Sequence, residues 1–503
     1  MFEKTKVALG VTMGILGLAG IATTAQAVHV NPDGTGQVLI FPYYNAHSGY
    51  VTNVNLINST DETKAVKIRF REGTKSNDVL DFNIYMSPQD VWTGSVRMTQ
   101  DDSGVEIGSV STRDRTCTLP QLASCKEDAC EVTVPFTGHT VYKGITATDT
   151  LEGYIEVIEM GVVTDSTVQQ GVLHTRGTPN NCSAVEQAWV KNVFQQGVGA
   201  NATGLSAPTG GLFGSSAVLN IAEGAAYAVD PTAIENYSTV AQHYLSHDPD
   251  NFLLPSLASG NVMTSNIMVK NNMGTTDMVE TTWKATEDAC LNDGDDLSPR
   301  CGTNPYPVAH VLLAEHLMNE YFLDPSDGYD GHTDWIVTFP MKKHGIHAGQ
   351  TDVTMSMSGV YDREEAVPNV VADRSFGFSP VLPGREKNEE GILSREVNVL
   401  SFLSSDPAYD DSRTVMSSHT GNTLSVGAFV HGWARMSFPG YSLASGWQSA
   451  TPYGKSTSTY DANSSIYRGV PVIGFAAIEG NVSANPHARF GDAIPHRISR
   501  TTD

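Results

Sequence analysis

VTNVNLINSTDETKAVKIRF, residues 51–70, holds two runs in which apolar and polar side chains alternate. In the first run Val54 and Leu56 share one side, and in the second run Val66, Ile68 and Phe70 do the same. A period of two is typical of a β-strand with one buried face. Residues 59–62, between the runs, have the polar composition of a turn. We therefore predict two antiparallel strands joined by that turn.

Similar short runs continue along the chain, bounded by glycine, proline and polar residues. Further candidate strands cover residues 37–44, 79–86, 153–160, 335–340, 397–403, 424–438 and 470–478. A succession of short strands of this kind is typical of immunoglobulin-like sandwiches. We therefore predict a mostly β protein with two immunoglobulin-like β-sandwich domains, and we expect Trp433 in a sandwich interior.

Two segments have helical spacing. Residues 183–195 begin with Ser183 and Glu186 in capping positions, and residues 307–322 carry a broad apolar stripe. We also expect a short helix or turn at residues 230–237. The chain then divides into a first sandwich domain over residues 28–250 and a second over 251–483, each with a short helical insertion. A polar tail follows, residues 484–503, and we expect it to be loosely held.

A weak internal repeat links the two halves. Residues 52–58, TNVNLIN, align with residues 265–271, SNIMVKN, and the same offset aligns Val66 with Val279 and Phe70 with Trp283. One interpretation is that each half contains a sandwich built on a similar hairpin. The alternative is a chance similarity between two ordinary hairpins.

The N-terminus has the features of a secretory signal. Lys4 and Lys6 precede an apolar run over residues 7–21, and Ala25-Gln26-Ala27 is a small-x-small cleavage pattern. We expect residues 1–27 to be a signal peptide and the exported chain to begin near Val28. No later segment reaches 18 uninterrupted apolar residues, so we expect no transmembrane helix after signal removal.

The composition excludes some partners. The chain has 31 basic and 55 acidic residues, a formal net charge of −24. A surface this acidic repels nucleic acid at long range, so we expect no nucleic-acid partner. Two interpretations of the acidic surface remain: the charges are simply solvated, or they attract divalent cations.

The cysteines point to disulfides, because an even number in an exported chain is typical of disulfide bonding. Cys290 and Cys301 bracket a short segment of the second half, and we predict that they pair. Cys117, Cys125, Cys130 and Cys182 allow three pairings, among which the sequence does not choose. Structural zinc is the rival interpretation, although the paired C-x2-C spacing of such sites is missing.

Acidic loops are the best candidates for an ion. Asp324, Asp327, Asp330 and Asp334 lie in a glycine-containing segment whose carboxylates and turns suit Ca²⁺. The order of residues does not match an EF-hand, and solvated turns are the alternative interpretation. Apart from Ca²⁺ at this loop, we expect no cofactor.

Several aromatic residues lie near polar, glycine- or serine-containing segments, where they suit platforms for sugars or partner proteins. They are Tyr43, Tyr44, Tyr50, Tyr441, Trp447, Tyr453, Tyr460 and Tyr467. The chain has no nucleophile-elbow G-x-S-x-G between a strand and a helix, no phosphate-binding P-loop and no strand-linked G-x-G-x-x-G. We therefore assign no catalytic residue.

Four segments carry a resemblance: GQVLIFPYY (residues 36–44), VLDFNIYMSP (79–88), EGYIEVIEMG (152–161) and TDWIVTFP (333–340). Together they resemble a group of uncharacterised exported or cell-surface proteins of Gram-negative bacteria. The resemblance implies an envelope or extracellular location and brings no functional residues with it. We expect a non-enzymatic surface or secreted protein that binds or assembles with envelope proteins, extracellular proteins or glycans. The alternatives are a secreted hydrolase and a Ca²⁺- or metal-dependent envelope module.

Overall fold

A computed structural model gives the architecture. It describes residues 27–122, 131–142, 144–246, 253–270, 276–283, 305–323, 329–344, 352–365, 391–406, 409, 414–418, 421–438, 453–455, 468–482 and 489–500. The predicted signal peptide, up to residue 26, lies outside this part of the chain. Among the described residues, no helix has both the length and the apolar character needed to cross a membrane.

The described chain is mostly β. The helices are α1 (Ser166–Val172), α2 (Ser183–Val190) and α3 (Tyr306–Val311). The strands before residue 250 are β1 (His29–Val30), β2 (Val38–Asn45), β3 (Val51–Asn58), β4 (Lys64–Glu72), β5 (Asp78–Met86), β6 (Val91–Gln100), β7 (Glu106–Thr112), β8 (Cys117–Leu119), β9 (Val132–Pro135), β10 (Glu152–Val163), β11 (His174–Thr175), β12 (Thr178–Pro179), β13 (Gly197–Val198), β14 (Leu205–Ser206), β15 (Leu212–Asn220), β16 (Ala225–Val229), β17 (Thr232–Glu235) and β18 (Gln242–His243). The later strands are β19 (Thr264–Lys270), β20 (Thr276–Thr282), β21 (Leu313–Ala314), β22 (His316–Phe322), β23 (Tyr329–Thr338), β24 (Val353–Asp362), β25 (Gly391–Leu393), β26 (Val397–Leu403), β27 (Asn422–Ser425), β28 (His431–Ser437), β29 (Tyr453–Lys455), β30 (Val470–Pro471), β31 (Ile473–Val482), β32 (Arg489–Pro495) and β33 (Arg497–Ser499).

The first half forms a sandwich of two antiparallel sheets. One sheet has the order β1-β17-β2-β10-β4-β5-β8, and the other has the order β16-β15-β3-β6-β7-β9. Between them lies a core that includes Phe41, Phe70, Phe82, Trp92 and Phe136, all at most 1% exposed. The predicted strand at residues 51–58 therefore buries Val54 and Leu56, as its alternation indicates.

The second half also pairs two sheets around a core. Their strand orders are β25-β24-β28-β22-β33 and β27-β26-β23-β31-β32, and all of the pairs are antiparallel except β26 with β27. The core between them includes Tyr321, Trp335, Phe402 and Met436. The prediction of a mostly β fold with sandwich layers is thus confirmed, while the immunoglobulin-like topology stays a prediction.

A third core joins the two sandwiches. Leu39 and Phe41 of β2 point into the first sandwich, whereas Val38 and Ile40 lie with Ile336 of β23 in a different cluster. Strands β10, β23 and β31 likewise bury side chains on both faces. Burial on two faces explains why residues 37–44 and 153–160 read as nearly continuous apolar runs instead of alternating ones.

The predicted helix at residues 183–195 is confirmed in part, as α2. It ends at Val190, and Asn192 beyond it has a left-handed backbone (φ 57°). Its Trp189 donates a hydrogen bond to Tyr85 Oη (3.1 Å), which in turn contacts His243 Nε2 at 2.9 Å. The Tyr85 hydroxyl therefore accepts from the indole and also shares a hydrogen bond with the His243 ring, whose tautomer sets the direction of that second bond. Burial lowers the pKa of His243 to about 3, so the ring is neutral in the folded protein.

His243 should therefore make the protein acid-sensitive. Its folded pKa lies below the unfolded value of about 6.5, so its contribution is present above pH 6.5 and is lost as the pH falls through that value. Replacing His243 with leucine removes this titration. We expect the stability gap between wild type and His243→Leu to shrink by about 1.6 kcal/mol between pH 6.5 and pH 5. Denaturant melts at each pH measure this, and a constant gap would contradict the prediction.

The predicted helix at residues 307–322 is wrong beyond Val311. Helix α3 ends there, and residues 316–322 form β22, which pairs with β28 and β33. Leu317 and Tyr321 are four residues apart. Residues at this spacing lie on the same face of a helix and also on the same face of a strand, so their pattern does not distinguish the two structures. Asn319 lies between them and points inward as well, and its side-chain amide donates a hydrogen bond to the carbonyl of Ile494 (2.8 Å). Residues 230–237 likewise contain strand β17, not a helix or turn.

The repeat does not extend to a shared hairpin. Strand β19 pairs directly with β20, but β3 pairs with β6 and β15, while β4 lies in the opposite sheet beside β5 and β10. Residues 59–62 therefore cross from one sheet to the other. The predicted pairing of the two runs at residues 51–70 is wrong for the same reason, although both runs are strands.

The expectation of a loosely held tail is wrong for residues 489–500. Strand β32 pairs with β31 along its whole length, and β33 pairs with β22. The His496 ring contacts the carbonyl oxygen of Ile336 at 3.0 Å, and Arg500 donates to the carbonyl of Val311 at 2.7 Å. The polar composition suggested a loose tail, but β32 and β33 lie at the edges of their sheets, and an edge strand needs only one apolar face.

Candidate functional site

Two residues of the predicted calcium loop lie in strand β23. Asp330 pairs with His332 (3.2 Å), and Asp334 is 1% exposed and accepts the backbone N–H of Met416 at 2.8 Å. Burial raises the pKa of Asp334 to about 6. Four residues of strand span about 13 Å, whereas two ligands of one Ca²⁺ lie within about 5 Å of each other. Asp330 and Asp334 therefore do not share an ion.

The rest of the loop, with Asp324 and Asp327, lies outside the described residues, so a calcium site there stays a prediction. Across the described ranges, no three His, Cys, Asp or Glu side chains are close enough together to hold a metal ion.

Of the cysteines, Cys117 and Cys182 form a disulfide with Cα atoms 5.2 Å apart. It joins β8 to the start of α2. The sequence alone allowed three pairings of the four cysteines in the first half and did not choose among them. Cys125 and Cys130, and the predicted pair Cys290 and Cys301, lie outside the described residues.

The predicted tyrosine platforms are wrong where the structure describes them. Tyr43, Tyr44 and Tyr50 are at most 1% exposed; Tyr44 lies in the core of the first sandwich, and Tyr43 and Tyr50 lie in the core that joins the two sandwiches. Their hydroxyls are used internally: Tyr50, for example, donates to the carbonyl of Val415 at 2.5 Å. The side chains of the other residues proposed as platforms, Tyr441, Trp447, Tyr453, Tyr460 and Tyr467, lie outside the described part of the chain.

An aromatic surface does exist elsewhere, on the outer face of β22, β24 and β28. Trp433 stacks on Tyr361 with ring centroids 4.6 Å apart and planes at 19°, and Trp433 is 40% exposed. Beside this pair Phe322 contacts the His431 ring at 5.0 Å. We call these four side chains the aromatic platform. A stacked Trp-Tyr pair open to solvent is unusual, because large aromatic side chains normally bury their faces.

Strand register produces the platform. Tyr361 is the partner of Trp433 across β24 and β28, and Phe322 is the partner of His431 across β22 and β28. Alternation then points Ala434 and Met436 into the core and Trp433 outward. A side chain at Gly432 would place its Cβ 1.8 Å from the carbonyl oxygen of Tyr361. Glycine at this position therefore lets the two strands come close enough for the rings to stack.

Charged and polar groups flank the rings. Glu320 is the β22 partner of Trp433, and its side chain is exposed. Arg435 follows on β28 and is held by Ser358, whose hydroxyl accepts from Nε at 2.9 Å. A flat apolar surface bordered by a carboxylate and a guanidinium can make both stacking contacts and hydrogen bonds to a ligand.

The expectation that Trp433 lies in a sandwich interior is wrong. The sequence does contain the signal that places it outside, because Trp433 and Arg435 are two residues apart and so share one face of a strand. A buried face would require the arginine to be paired internally. Phe322 and Glu320 were hidden by the helical interpretation of residues 307–322.

A smaller cleft lies where the two sandwiches meet. It has a volume of about 200 Å³ and is lined by His47, Glu152, Asp149 and Glu106 from the first sandwich and Arg395 from the second. Carboxylates and a histidine in one cleft are what a hydrolase requires.

The side chains of this cleft are already engaged. The hydroxyls of Tyr43 (2.5 Å) and Ser418 (2.8 Å) both donate to Glu152, and Asp149 accepts the backbone N–H of Thr146 (2.7 Å). Ser418 thus donates directly to the carboxylate, whereas in a catalytic triad the serine hydroxyl donates to the histidine. The volume is also below the range of about 300–1,000 Å³ that is typical of ligand pockets.

Comparison of the chain with protein-family models, with curated proteins and with solved structures finds no match.

Proposed function

We propose that this is an exported, non-enzymatic protein that binds glycans through the aromatic platform. The observation that carries the proposal is the exposed, parallel stacking of Trp433 on Tyr361 on the outer face of a sheet. Sugar rings have apolar faces that lie flat against aromatic rings, and their hydroxyls need polar partners at the border. The platform offers both, with Glu320 and Arg435 at its edge.

The geometry suits an extended ligand better than a small molecule. The outer face of a sheet is open on all sides, so it does not enclose a ligand as a pocket does. Apolar burial contributes about 25 cal/mol per Å², so a few sugar units on two rings give only modest affinity. A polymer that meets several copies of the protein gains avidity from repeated weak contacts. A cell-surface or extracellular polysaccharide is thus the ligand class we favour.

The hydrolase alternative is less well supported. Its candidate cleft is small, and Glu152 is held by side chains from both sandwiches. A protein ligand for the platform is the other alternative, since exposed aromatic residues are also common in protein interfaces.

Replacing Trp433 with alanine should weaken polysaccharide binding by about fivefold or more, because a ring stacked on an aromatic side chain is worth roughly 1–3 kcal/mol where this has been measured with nucleic-acid bases. Native gel electrophoresis through gels that contain soluble polysaccharides measures this as lost retardation. Tyr361→Ala should have a similar effect. Phe213→Ala is the matched control, because Phe213 has the same exposure (39%) but lies in the first sandwich.

The outcome that would count against glycan binding is equal migration of wild type and Trp433→Ala in every polysaccharide gel. If wild type is retarded and Phe213→Ala loses this retardation while Trp433→Ala does not, the glycan site lies in the first sandwich and the aromatic platform has another role.

A further inference from the structure

A groove lined by arginines lies on the first sandwich, whereas the aromatic platform lies on the second. It has a volume of about 610 Å³ and is formed by the segment before β8 and the β11–β12 hairpin. Arg113 and Arg115 line one side, and Arg176 and His174 line the other. We call it the arginine groove. A concentration of guanidinium groups stands out in a chain with a net charge of −24.

The carboxylates in the groove accept hydrogen bonds from backbone N–H groups. Asp114 accepts the N–H groups of Thr93 (2.9 Å) and Thr116 (2.8 Å), and Asp90 accepts that of Ser87 (3.0 Å). In contrast, Arg113 and Arg176 make no ion pair or hydrogen bond with any residue that the structure describes. The groove therefore holds three guanidinium groups against two carboxylates, and backbone N–H groups already occupy oxygens of both carboxylates.

The backbone at Arg176 is strained. Arg176 (φ 55°) and Gly177 (φ 79°) are the central residues of the β11–β12 hairpin, and both have left-handed backbones. Asparagine, aspartate or glycine normally occupies such positions, and a long side chain there costs free energy. Strain of this kind is concentrated at functional sites. Here it places a guanidinium at the tip of a hairpin that overhangs the groove.

The two sides of the groove are tied together. The Cys117–Cys182 disulfide links β8 to the segment that follows the hairpin, and Arg115 donates to Thr178 Oγ1 on the hairpin at 2.9 Å. The two backbone segments and the Arg115 guanidinium are therefore held in position before a ligand arrives, which lowers the entropy cost of binding.

We propose that the arginine groove binds a phosphate or sulfate group carried by a glycan. Guanidinium groups form paired hydrogen bonds with such tetrahedral anions. Screening limits the reach of charges to about 8 Å at physiological salt, so an anionic group inside the groove meets its three arginines and two carboxylates and little of the remaining acidic surface. A bilayer surface or a nucleic-acid duplex instead meets the acidic remainder of the molecule. The site is independent of the aromatic platform.

Arg176→Asn provides a sharp test, because asparagine relieves the backbone strain while removing the guanidinium. We expect this variant to have an unchanged or higher unfolding midpoint and at least about fivefold weaker binding of dextran sulfate, and Arg113→Ala to bind less tightly as well. Calorimetric titration with dextran sulfate measures the affinity, and inorganic phosphate should compete. Arg363→Ala is the charge-matched control, because Arg363 is exposed on the second sandwich.

Trp433→Ala should bind dextran sulfate as wild type does, which separates this site from the aromatic platform. Equal affinity of Arg176→Asn, Arg363→Ala and wild type would overturn the proposal. Binding to vesicles of anionic phospholipid that is lost in Arg176→Asn, without binding to dextran sulfate, would also overturn it and assign the groove to a membrane surface.

Discussion

Replacing Glu156 with alanine should destabilise the protein by about 3–5 kcal/mol, the largest effect of any single substitution that we predict. Glu156 is 0% exposed at the middle of β10. Its carboxylate lies 2.7 Å from Arg71 Nε and 3.6 Å from Arg69 Nη1, both on the neighbouring strand β4. Removing it leaves two guanidinium groups buried without their shared counter-charge.

The surroundings of this cluster explain the size of the effect. Burial by itself raises the pKa of Glu156, but the charges of Arg71 and Arg69 outweigh burial and lower it overall. Arg69 is also held by Asp78 (2.6 Å) and donates to the carbonyl of Pro255 (2.9 Å). Arg71 donates to the carbonyl of Ser76 (2.7 Å), so neither arginine can move to solvent without breaking other contacts.

Denaturant unfolding of purified Glu156→Ala measures the loss. Glu106→Ala is the control, because Glu106 is an exposed strand residue and its removal should change stability by no more than about 0.5 kcal/mol. A loss below 1 kcal/mol for Glu156→Ala would mean that the arginines find other partners. The result would then contradict the role given to this cluster.

Replacing Glu152 with alanine should cost about 2–4 kcal/mol, because each buried donor left without an acceptor costs roughly 1–3 kcal/mol. Glu152 accepts from Tyr43 of the first sandwich and from Ser418 of the second. Its side chain thereby joins the two sandwiches at the edge of their shared core. The same substitution also addresses catalysis, since a hydrolytic role would predict lost activity with little change in stability.

A double-mutant cycle isolates the contact between the sandwiches. Glu152→Ala and Ser418→Ala, alone and together, should show a coupling free energy of about 1 kcal/mol, measured by denaturant unfolding. Coupling close to zero would indicate that the contact between Glu152 and Ser418 does not stabilise the junction of the two sandwiches.

The strands were predictable because alternation is a local property. The alternation at residues 51–58 indicates a single buried face, and these residues form strand β3. The partners of a strand depend on residues far along the chain, so nothing in residues 51–70 shows that β3 and β4 enter different sheets. Residues 316–322 show the other limit, because a four-residue spacing of apolar side chains fits helix and strand alike.

Strand β4 shows why function is harder to predict than fold. Lys67, Arg69 and Arg71 alternate with apolar residues and suggest a solvated face, yet each is at most 1% exposed. Burial follows from the second sandwich and the segment around Pro255, which cover that face. Trp433 shows the reverse case, an aromatic residue expected inside that the register of β28 turns outward. Both outcomes depend on how the layers stack, which the sequence does not display.

The most direct test of glycan binding observes Trp433 itself. The chain contains 6 tryptophans, so protein labelled with 5-fluorotryptophan gives a small set of fluorine resonances, and Trp433→Phe identifies the one from Trp433. On titration with the polysaccharide that retards the protein in gels, we predict that the Trp433 resonance shifts while that of buried Trp335 stays unchanged. A bound polysaccharide that leaves the Trp433 resonance unmoved would contradict the assignment of the aromatic platform as the binding site.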